Sequence, residues 1–110
     1  MNYKIIPTET FKREVRRLAK LYPNIKNDLQ ALHQDLVQNP KTGTPLRHKT
    51  YKLRVKNTDI KKGKRSGYRV ITFVQDEIYT VKLLMIYSKA RTLDISDQEI
   101  QLILAKEGLE

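Results

Sequence analysis

Residues 68–87 have the sequence YRVITFVQDEIYTVKLLMIY, and this stretch decides the fold. Residues 68–75 are rich in β-branched and aromatic side chains, which favour a β-strand. Asp76-Glu77 predicts a turn, and residues 78–87 then form a nearly continuous apolar run. Such a run is typical of a central strand that is covered on both faces. The stretch therefore predicts two neighbouring antiparallel strands at the centre of a sheet.

A third strand is predicted just before this pair, in the segment Tyr51-Lys52-Leu53-Arg54-Val55-Lys56. Side chains alternate between the two faces of a strand, so one face carries the apolar residues and the other carries the basic residues. Three strands in succession predict an antiparallel meander. The basic face is a row of cations on a rigid element, and this arrangement suits a polyanion.

Helices are predicted on both sides of the meander. Residues 3–6 predict a short strand that ends at Pro7, and Thr8 is a suitable N-cap for a first helix. Pro23 suits the first turn of a second helix, and Asn39-Pro40 ends it. These two helices are expected to form a hairpin.

The C-terminal helix is predicted by Ser96 and Glu99, which have the spacing of a capping box. Residues 41–49 are expected to be a loop, because Gly43 and Pro45 interrupt them. The element order β-α-α-β-β-β-α predicts an α+β fold, in which a helical hairpin and a C-terminal helix pack on a small antiparallel sheet. The length of 110 residues is that of one domain, so residues 1–110 are expected to form a single unit.

The charge of the chain is large and unevenly distributed. Lysine and arginine number 22 against 12 acidic residues, which gives a net charge of +10. Eleven basic residues and one acid lie between Lys41 and Arg69, whereas residues 92–110 carry five acids and one base. A directional basic surface makes a nucleic acid the leading partner.

Composition excludes several kinds of site. The chain has no cysteine, which excludes disulfides, thiolate metal sites and a cysteine nucleophile. It has two histidines, so a histidine-rich metal site is excluded, and neither metal nor cofactor is expected. No apolar run approaches the roughly 20 residues of a membrane span, and no secretory leader precedes the first strand. A cytoplasmic protein without membrane contact is therefore expected.

The order and spacing of several motifs resemble the RelE/ParE superfamily of toxins from type II toxin–antitoxin systems, and particularly its HigB-like branch. The resemblance covers essentially the whole chain. The matching motifs are Asn39-Pro40, Gly43, Leu46, residues 51–55, residues 67–71 and residues 86–89, and those most like the HigB branch are residues 62–69, 87–89 and 94–96.

The resemblance implies a fold and an activity. RelE-like toxins bind in the ribosomal A site and cut mRNA, using the 2′-hydroxyl of the substrate to attack the adjacent phosphate. They work without a metal, and a cognate antitoxin neutralises them. ParE-like members of the same superfamily inhibit DNA gyrase and cut nothing. A basic RNA-binding module without turnover is a third reading of the same cationic strand.

The resemblance also implies the site. Lys52 and Arg54 match two catalytic basic residues on the second strand of the family, and Arg69 matches the arginine that follows Gly-Tyr. Either Lys89 or Arg91 matches the basic position after the last strand. The catalytic candidates are thus Lys52, Arg54, Arg69 and Lys89, and the candidate RNA contacts are Lys56, Lys62, Lys64, Arg65, Tyr68, Tyr87 and Arg91.

One departure from the family leaves the proton-transfer roles open. Many RelE-like toxins have a tyrosine in the C-terminal segment, whereas residues 92–110 contain none. Tyr87 or Tyr68 is an alternative source of that hydroxyl, or the role is absent. Arginines can balance charge on the reacting phosphate, and Lys52 is the candidate for moving a proton. Asp94 and Asp97 are interpreted as helix-start acids, and His48 as structural.

Overall fold

The chain folds into a five-stranded sheet with helices on both faces, within residues 2–61, 66–92 and 94–109, which the computed structural model describes. The sheet order is β1-β5-β4-β3-β2. The elements in chain order are β1 (Lys4–Pro7), α1 (Glu9–Ala19), α2 (Ile25–Gln38), β2 (Thr44–Pro45), β3 (Thr50–Val55), β4 (Tyr68–Gln75), β5 (Thr80–Ser88) and α3 (Asp97–Lys106).

The predicted α+β fold is confirmed, with one difference in the sheet. The meander β3-β4-β5 is antiparallel, as expected, but β1 pairs in parallel with β5. Parallel pairing needs a long connection, which the two helices and the intervening strands supply. The sheet is therefore mixed. Among the described helices, none is long and apolar enough to cross a bilayer.

Each face of the sheet has its own apolar core. The face towards α1 and α2 is covered by the predicted helical hairpin, and the opposite face is covered by α3. The first core contains Phe11, Leu18, Ile25, Leu32, Leu36, Leu53, Val55, Tyr68, Val70, Val74, Val81, Leu83 and Ile86. The second core contains Ile71, Phe73, Leu84, Ile100 and Leu104, with Leu46, Met85, Ile95, Ile103 and Leu109 packed against it.

A β-bulge in β5 changes which side chains face α3. Ile71 of β4 lies opposite Met85 and Thr72 lies opposite Leu83, so Leu84 is an extra residue on β5. The alternation along β5 is reversed after this point. Tyr87, which lies opposite Arg69, consequently faces the α3 side of the sheet.

The helix ends follow the predicted signals closely. The Thr8 hydroxyl accepts a hydrogen bond from the Phe11 amide at 3.1 Å, and Ser96 and Glu99 form a complete capping box. Gly108 (φ 71°) ends α3, because the Leu109 amide donates to the Leu104 carbonyl in a Schellman pattern. Pro23 differs from the prediction, since it precedes the N-cap of α2 and lies outside its first turn.

The predicted loop between α2 and β3 contains a short strand and a tight turn. Thr44 and Pro45 form β2, which pairs with β3. The connection between them turns at His48 and Lys49, whose φ angles of 60° and 59° are both left-handed. The amide of Thr50 donates to the carbonyl of Arg47 at 3.2 Å, so the turn has the type I′ geometry of tight hairpins. Sequence reasoning missed it because neither central residue is glycine or asparagine.

Gly67 allows the strands that carry the basic residues to approach one another. A Cβ at this position would overlap the carbonyl oxygen of Val55 at the end of β3. The Gly67 carbonyl accepts a hydrogen bond from the Lys89 amide at 3.0 Å, just beyond the end of β5. This glycine therefore spaces β3 and β5 around the start of β4.

Candidate functional site

Basic side chains from three neighbouring segments line one cavity of about 280 Å³, on the face of the sheet that carries α3. Lys52 and Arg54 come from β3, Arg69 comes from β4, and Lys89 follows β5 directly. Thr44 of β2 and the carboxylate of Asp94 complete the lining. We call this the cation cavity. All four catalytic candidates from the sequence thus meet in one place, although their catalytic roles remain predictions.

The register of β3 and β4 places two arginines directly opposite each other. Arg54 pairs with Arg69, and Lys52 pairs with Ile71, so the three basic side chains share one face. Like charges at directly opposite positions destabilise a sheet. Such a local cost is common where a site is built for a ligand, and an anion is the kind of ligand that would relieve it.

Arg69 is held more rigidly than the other cations. It is 6% exposed, and its guanidinium donates to the carbonyl of Tyr68 at 3.3 Å. A cation with so little access to water interacts with an anion in a medium of low effective dielectric constant, where the attraction is strong. Arg54 is exposed, and the Lys52 side chain is 29% exposed. Arg69 therefore forms the floor of the cavity and Arg54 its rim.

Asp94 is the acidic member of the site, and sequence reasoning assigned it wrongly to a helix start. The helix begins at Asp97 with Ser96 as N-cap, whereas Asp94 lines the cation cavity. Its Oδ1 accepts from Lys89 Nζ at 3.0 Å and lies 3.9 Å from Lys52 Nζ. The hydrogen bond from Lys89 holds the pKa of Asp94 below its usual value, and the nearby charge of Lys52 adds to this effect.

The two candidate tyrosines have different positions. Tyr68 is 0% exposed in the core under α1 and α2, where its ring packs edge to face on Tyr22. The prediction that Tyr68 contacts RNA is therefore wrong, because β4 turns its side chain away from the cation cavity. Burial raises its pKa to a value that keeps the hydroxyl neutral.

Tyr87 lies on the side of the cavity. Its ring is 3% exposed and packs in the interior, but its hydroxyl donates to Asp94 Oδ1 at 3.2 Å. Burial raises the pKa of Tyr87, which favours the neutral hydroxyl. The bulge at Leu84 brings this hydroxyl to Asp94, and no pattern in the sequence signals it.

The remaining candidates separate into groups. Lys89 lines the cation cavity and Arg91 lines a different one beside α1, so the geometry favours Lys89 at this site, and its catalytic role stays a prediction. Lys56 is exposed just beyond β3 and does not line the cation cavity. Lys62, Lys64 and Arg65 lie outside the described residues.

A second and larger cavity, of about 530 Å³, adjoins the first. We call it the hairpin cavity, since one wall is the β2–β3 hairpin and the other is the start of α3. Sequence reasoning did not foresee it, because it depends on the turn at His48 and Lys49 and on the docking of α3. Its lining comprises Pro45, Leu46, Arg47, Lys52, Ile95, Asp97 and Ile100. Among the residues that the structure describes, no three histidine or acidic side chains are grouped as in a metal site.

Solved structures of RelE toxins share this fold. A free variant of Escherichia coli RelE with two arginines replaced by alanine has a TM-score of 0.59 and 19% identity, covering 98% of this chain and 96% of that chain. Isolated E. coli RelE has a TM-score of 0.59 and 17% identity, with coverages of 94% and 98%. The RelBE2 toxin–antitoxin complex of Mycobacterium tuberculosis contains a chain with a TM-score of 0.53 and 28% identity, with coverages of 80% and 99%.

These likenesses establish a RelE-like fold for the chain. No protein-family model matches the sequence, and no curated protein sequence is significantly similar to it. The HigB-like branch stays a prediction, because the neighbours described above are RelE and RelBE2 proteins.

Proposed function

We propose that the protein is the toxin of a type II toxin–antitoxin system and an endoribonuclease that cuts mRNA on the ribosome, in the cytoplasm. The observation that carries the proposal is the convergence of Lys52, Arg54, Arg69 and Lys89 on one cavity of about 280 Å³. The RelE-like fold supports the same function. An assignment to the HigB-like branch belongs to this proposal and rests on sequence motifs alone.

The proposed reaction is an attack by the substrate's 2′-hydroxyl on the adjacent phosphorus. The 2′-oxygen loses its proton and forms a bond to phosphorus, the bond from phosphorus to the 5′-oxygen breaks, and that oxygen gains a proton. The products are a 2′,3′-cyclic phosphate and a free 5′-hydroxyl. Negative charge accumulates on the phosphoryl oxygens in the transition state, and the protein must stabilise it.

Arginines suit the stabilising role. Arg54 and Arg69 lie opposite each other on adjacent strands, so two guanidinium groups can donate to the non-bridging oxygens of one phosphate. Lys52 and Lys89 lie beside Asp94 in the same cavity and have ammonium protons that can reach a leaving oxygen. Which of these groups accepts the 2′-hydroxyl proton stays open.

A cognate antitoxin is the proposed protein partner. One structural neighbour is the toxin–antitoxin complex RelBE2, which supports this expectation. An antitoxin segment that covers the cation cavity would have acidic side chains in contact with Arg54 and Lys52, because complementary charge selects such partners.

The test is to map RNA ends in cells after brief induction of the protein. Wild-type protein is expected to produce cuts in phase with codons on translated mRNA, whereas Arg54→Ala lowers the cutting rate roughly 100- to 1,000-fold. Arg54 is the best variant because its side chain is exposed, so its removal takes little packing from the fold. Lys26→Ala, an exposed charge change on α2, is the matched control and is expected to cut normally.

Other outcomes would contradict the proposal in distinct ways. Loss of plasmid supercoiling without RNA cuts would indicate a gyrase inhibitor. Retention of RNA in pull-down experiments without cuts or supercoiling loss would indicate an RNA-binding module. A normal cutting rate for Arg54→Ala would show that the cation cavity is not the site of cleavage.

A further inference from the structure

The hairpin cavity has no part in the reaction described above, yet it adjoins the cavity where the phosphate would lie. We propose that it binds the guanine base of a nucleotide that flanks the scissile phosphate, and that Arg47 and Asp97 select this base. The inference rests on the proposed function, since it assigns a substrate specificity to the same site.

The two cavities share one lining residue and border each other at two further places along the chain. Lys52 lines both of them. Thr44 lines the cation cavity and its neighbour Pro45 lines the hairpin cavity. Likewise, Asp94 lines the cation cavity and its neighbour Ile95 lines the hairpin cavity. Adjacent residues are 3.8 Å apart at their Cα atoms, so the two cavities are contiguous along this boundary. A nucleotide with its phosphate beside Lys52 therefore has its base within reach of the hairpin cavity.

The lining of the hairpin cavity suits a flat, aromatic ligand. Pro45, Leu46, Ile95 and Ile100 supply apolar surface from both walls. Unstacked RNA bases are bound on such surfaces, with specificity provided by a few polar groups at their edges. Ile100 is 3% exposed and belongs to the core under α3, which makes this wall rigid.

Two charged side chains of opposite sign supply the polar groups. Arg47 is exposed on the hairpin, and Asp97 occupies the first turn of α3. Gln101 Nε2 donates to Asp97 Oδ2 at 2.7 Å, which orients the carboxylate. Asp97 lies in the first turn of α3, as its interpretation as a helix-start acid predicts, and its carboxylate oxygens can also accept hydrogen bonds from donors on a base.

Guanine fits this pair of groups best. Its N7 and O6 accept hydrogen bonds, and arginine binds them in a bidentate manner more often than any other specific pair. Its N1–H and N2–H₂ groups are adjacent donors that a carboxylate can accept together. Uracil has one ring donor and adenine has one exocyclic amino group, so neither satisfies both side chains. Cytosine satisfies them partly, but it is smaller than a purine in a cavity of about 530 Å³.

The test measures binding of RNA that cannot be cut, which separates base selection from cleavage. The probes are 2′-O-methyl pentanucleotides of uridine with G, A, C or U at the central position, and affinity is measured by fluorescence anisotropy. Wild-type protein is expected to prefer the G probe roughly 10- to 100-fold. Arg47→Lys, which keeps the charge but loses the planar fork, and Asp97→Asn are each expected to abolish the preference.

Two control variants sharpen the result. Lys49→Gln removes a charge from the same turn, outside both cavities, and is expected to keep the preference for guanine. Arg54→Ala is expected to weaken all four probes equally. Thermal unfolding of each variant reports whether it is folded.

Each outcome decides between the two proposals. Equal affinity for the four probes, or a guanine preference that survives both Arg47→Lys and Asp97→Asn, would overturn the base-binding assignment while leaving cleavage intact. A guanine preference in a protein that produces no cuts on the ribosome would keep the assignment and end the proposed function. Loss of antitoxin binding in Arg47→Lys with no change in base preference would show that the cavity serves the antitoxin.

Discussion

Asp94 determines how much positive charge the cation cavity presents to a phosphate. Its carboxylate lies 3.0 Å from Lys89 Nζ and 3.9 Å from Lys52 Nζ, so it partly neutralises two of the four cations. The same carboxylate repels an incoming phosphate. Asp94 thus serves as an internal anion for these two lysines, and under the proposed function a substrate phosphate would compete with it.

Asp94→Asn is expected to bind single-stranded RNA about fivefold more tightly, because a repulsion of about 1 kcal/mol at this range is removed. The slope of the affinity against salt concentration should also become steeper. Fluorescence anisotropy with a non-cleavable oligonucleotide measures both. Glu9→Gln, an equal charge change on an exposed side chain of α1, is the control and should alter the affinity far less. Unchanged or weaker binding by Asp94→Asn would refute the internal-anion role.

A substitution at Tyr87 tests whether the hydroxyl that the bulge brings to Asp94 contributes to the proposed cleavage. Tyr87→Phe removes the hydroxyl that donates to Asp94 while keeping the buried ring. If the hydroxyl positions Asp94 or moves a proton, the rate of ribosome-dependent cutting falls at least 10-fold at unchanged RNA affinity. Tyr51→Phe, on the opposite face of β3, is the control. Equal cutting rates for wild-type protein and Tyr87→Phe would assign Tyr87 to packing alone.

The β2–β3 hairpin holds two consecutive residues in a conformation that ordinary side chains avoid. His48 and Lys49 have φ angles of 60° and 59°, and left-handed geometry costs roughly 1–2 kcal/mol for a residue other than glycine. Strained backbone persists where the surrounding structure requires it, and here it shapes one wall of the hairpin cavity. The turn therefore holds Arg47 in its position at a cost in stability.

Lys49→Gly is expected to raise the free energy of unfolding by about 1 kcal/mol, since glycine adopts this φ without strain. The ion pair of Lys49 with Glu77 is exposed at both ends and contributes little against this gain. Chemical denaturation measures the change. Lys56→Gly, at a position without positive φ, should instead lower stability, and a similar loss for Lys49→Gly would show that the turn is not strained.

Adding a single methyl group at Gly67 is expected to lower the stability of the fold substantially. Gly67→Ala would force a clash between backbone-fixed atoms at Val55, and we expect a loss of about 2–3 kcal/mol in the free energy of unfolding. Gly108→Ala is the control, because its φ is 71° but no atom lies within 4 Å of the added Cβ, so it introduces backbone strain without a clash. That variant should lose only about 1 kcal/mol. Equal losses at the two positions would mean that strand spacing at Gly67 is adaptable.

At the level of the whole molecule, a contact between distant parts of the chain joins α3 to α1. The Glu107 carboxylate, at the end of α3, accepts hydrogen bonds from the Thr10 amide at 3.0 Å and from its hydroxyl. Partial burial acts to raise the pKa of Glu107, but the hydrogen bonds from Thr10 outweigh it and hold the pKa below its usual value. The contact thus satisfies an amide at the start of α1.

This contact makes a pH-dependent contribution to stability. Because the pKa of Glu107 is lower in the folded state, its contribution is complete above the unfolded pKa of about 4.3 and is lost as the pH falls through the folded value. Glu107→Gln is expected to lower stability by about 1–2 kcal/mol at pH 7, with the difference from wild type shrinking below about pH 4. Thermal unfolding across pH 3–7, with Asp35→Asn as control, measures it. A pH-independent difference would contradict the role of the charge.

The fold was predictable from the chain because its strongest signals are local. The apolar run at residues 78–87 and the capping box at Ser96 depend on neighbouring residues alone, and both predicted elements are present. The parallel pairing of β1 could not be predicted, since it depends on which sheet edge a strand reaches after the two helices are packed.

The site was predictable in part. The alternation along residues 51–56 identified the faces of β3, and the resemblance to RelE-like toxins supplied Arg69 and Lys89. Asp94 was not recognised as a site residue because its proximity to Ser96 suggested a helix start. Arg47 was not recognised because the role proposed for it depends on an unusual turn. Tyr68 directly precedes Arg69 on β4, so alternation alone places the two side chains on opposite faces of the sheet, and the Tyr68 ring lies in the core away from the cation cavity.

The extra residue at Leu84 has a consequence for comparing this chain with its relatives. Inserting one residue into β5 exchanges inward and outward positions for the rest of the strand, so that Met85 and Tyr87 change sides while the backbone path continues. An ungapped alignment to a protein that lacks the insertion would match core positions with site positions from there onward. Distances between homologues computed over this strand would then overstate divergence, and a single gap placed at Leu84 would restore the correspondence.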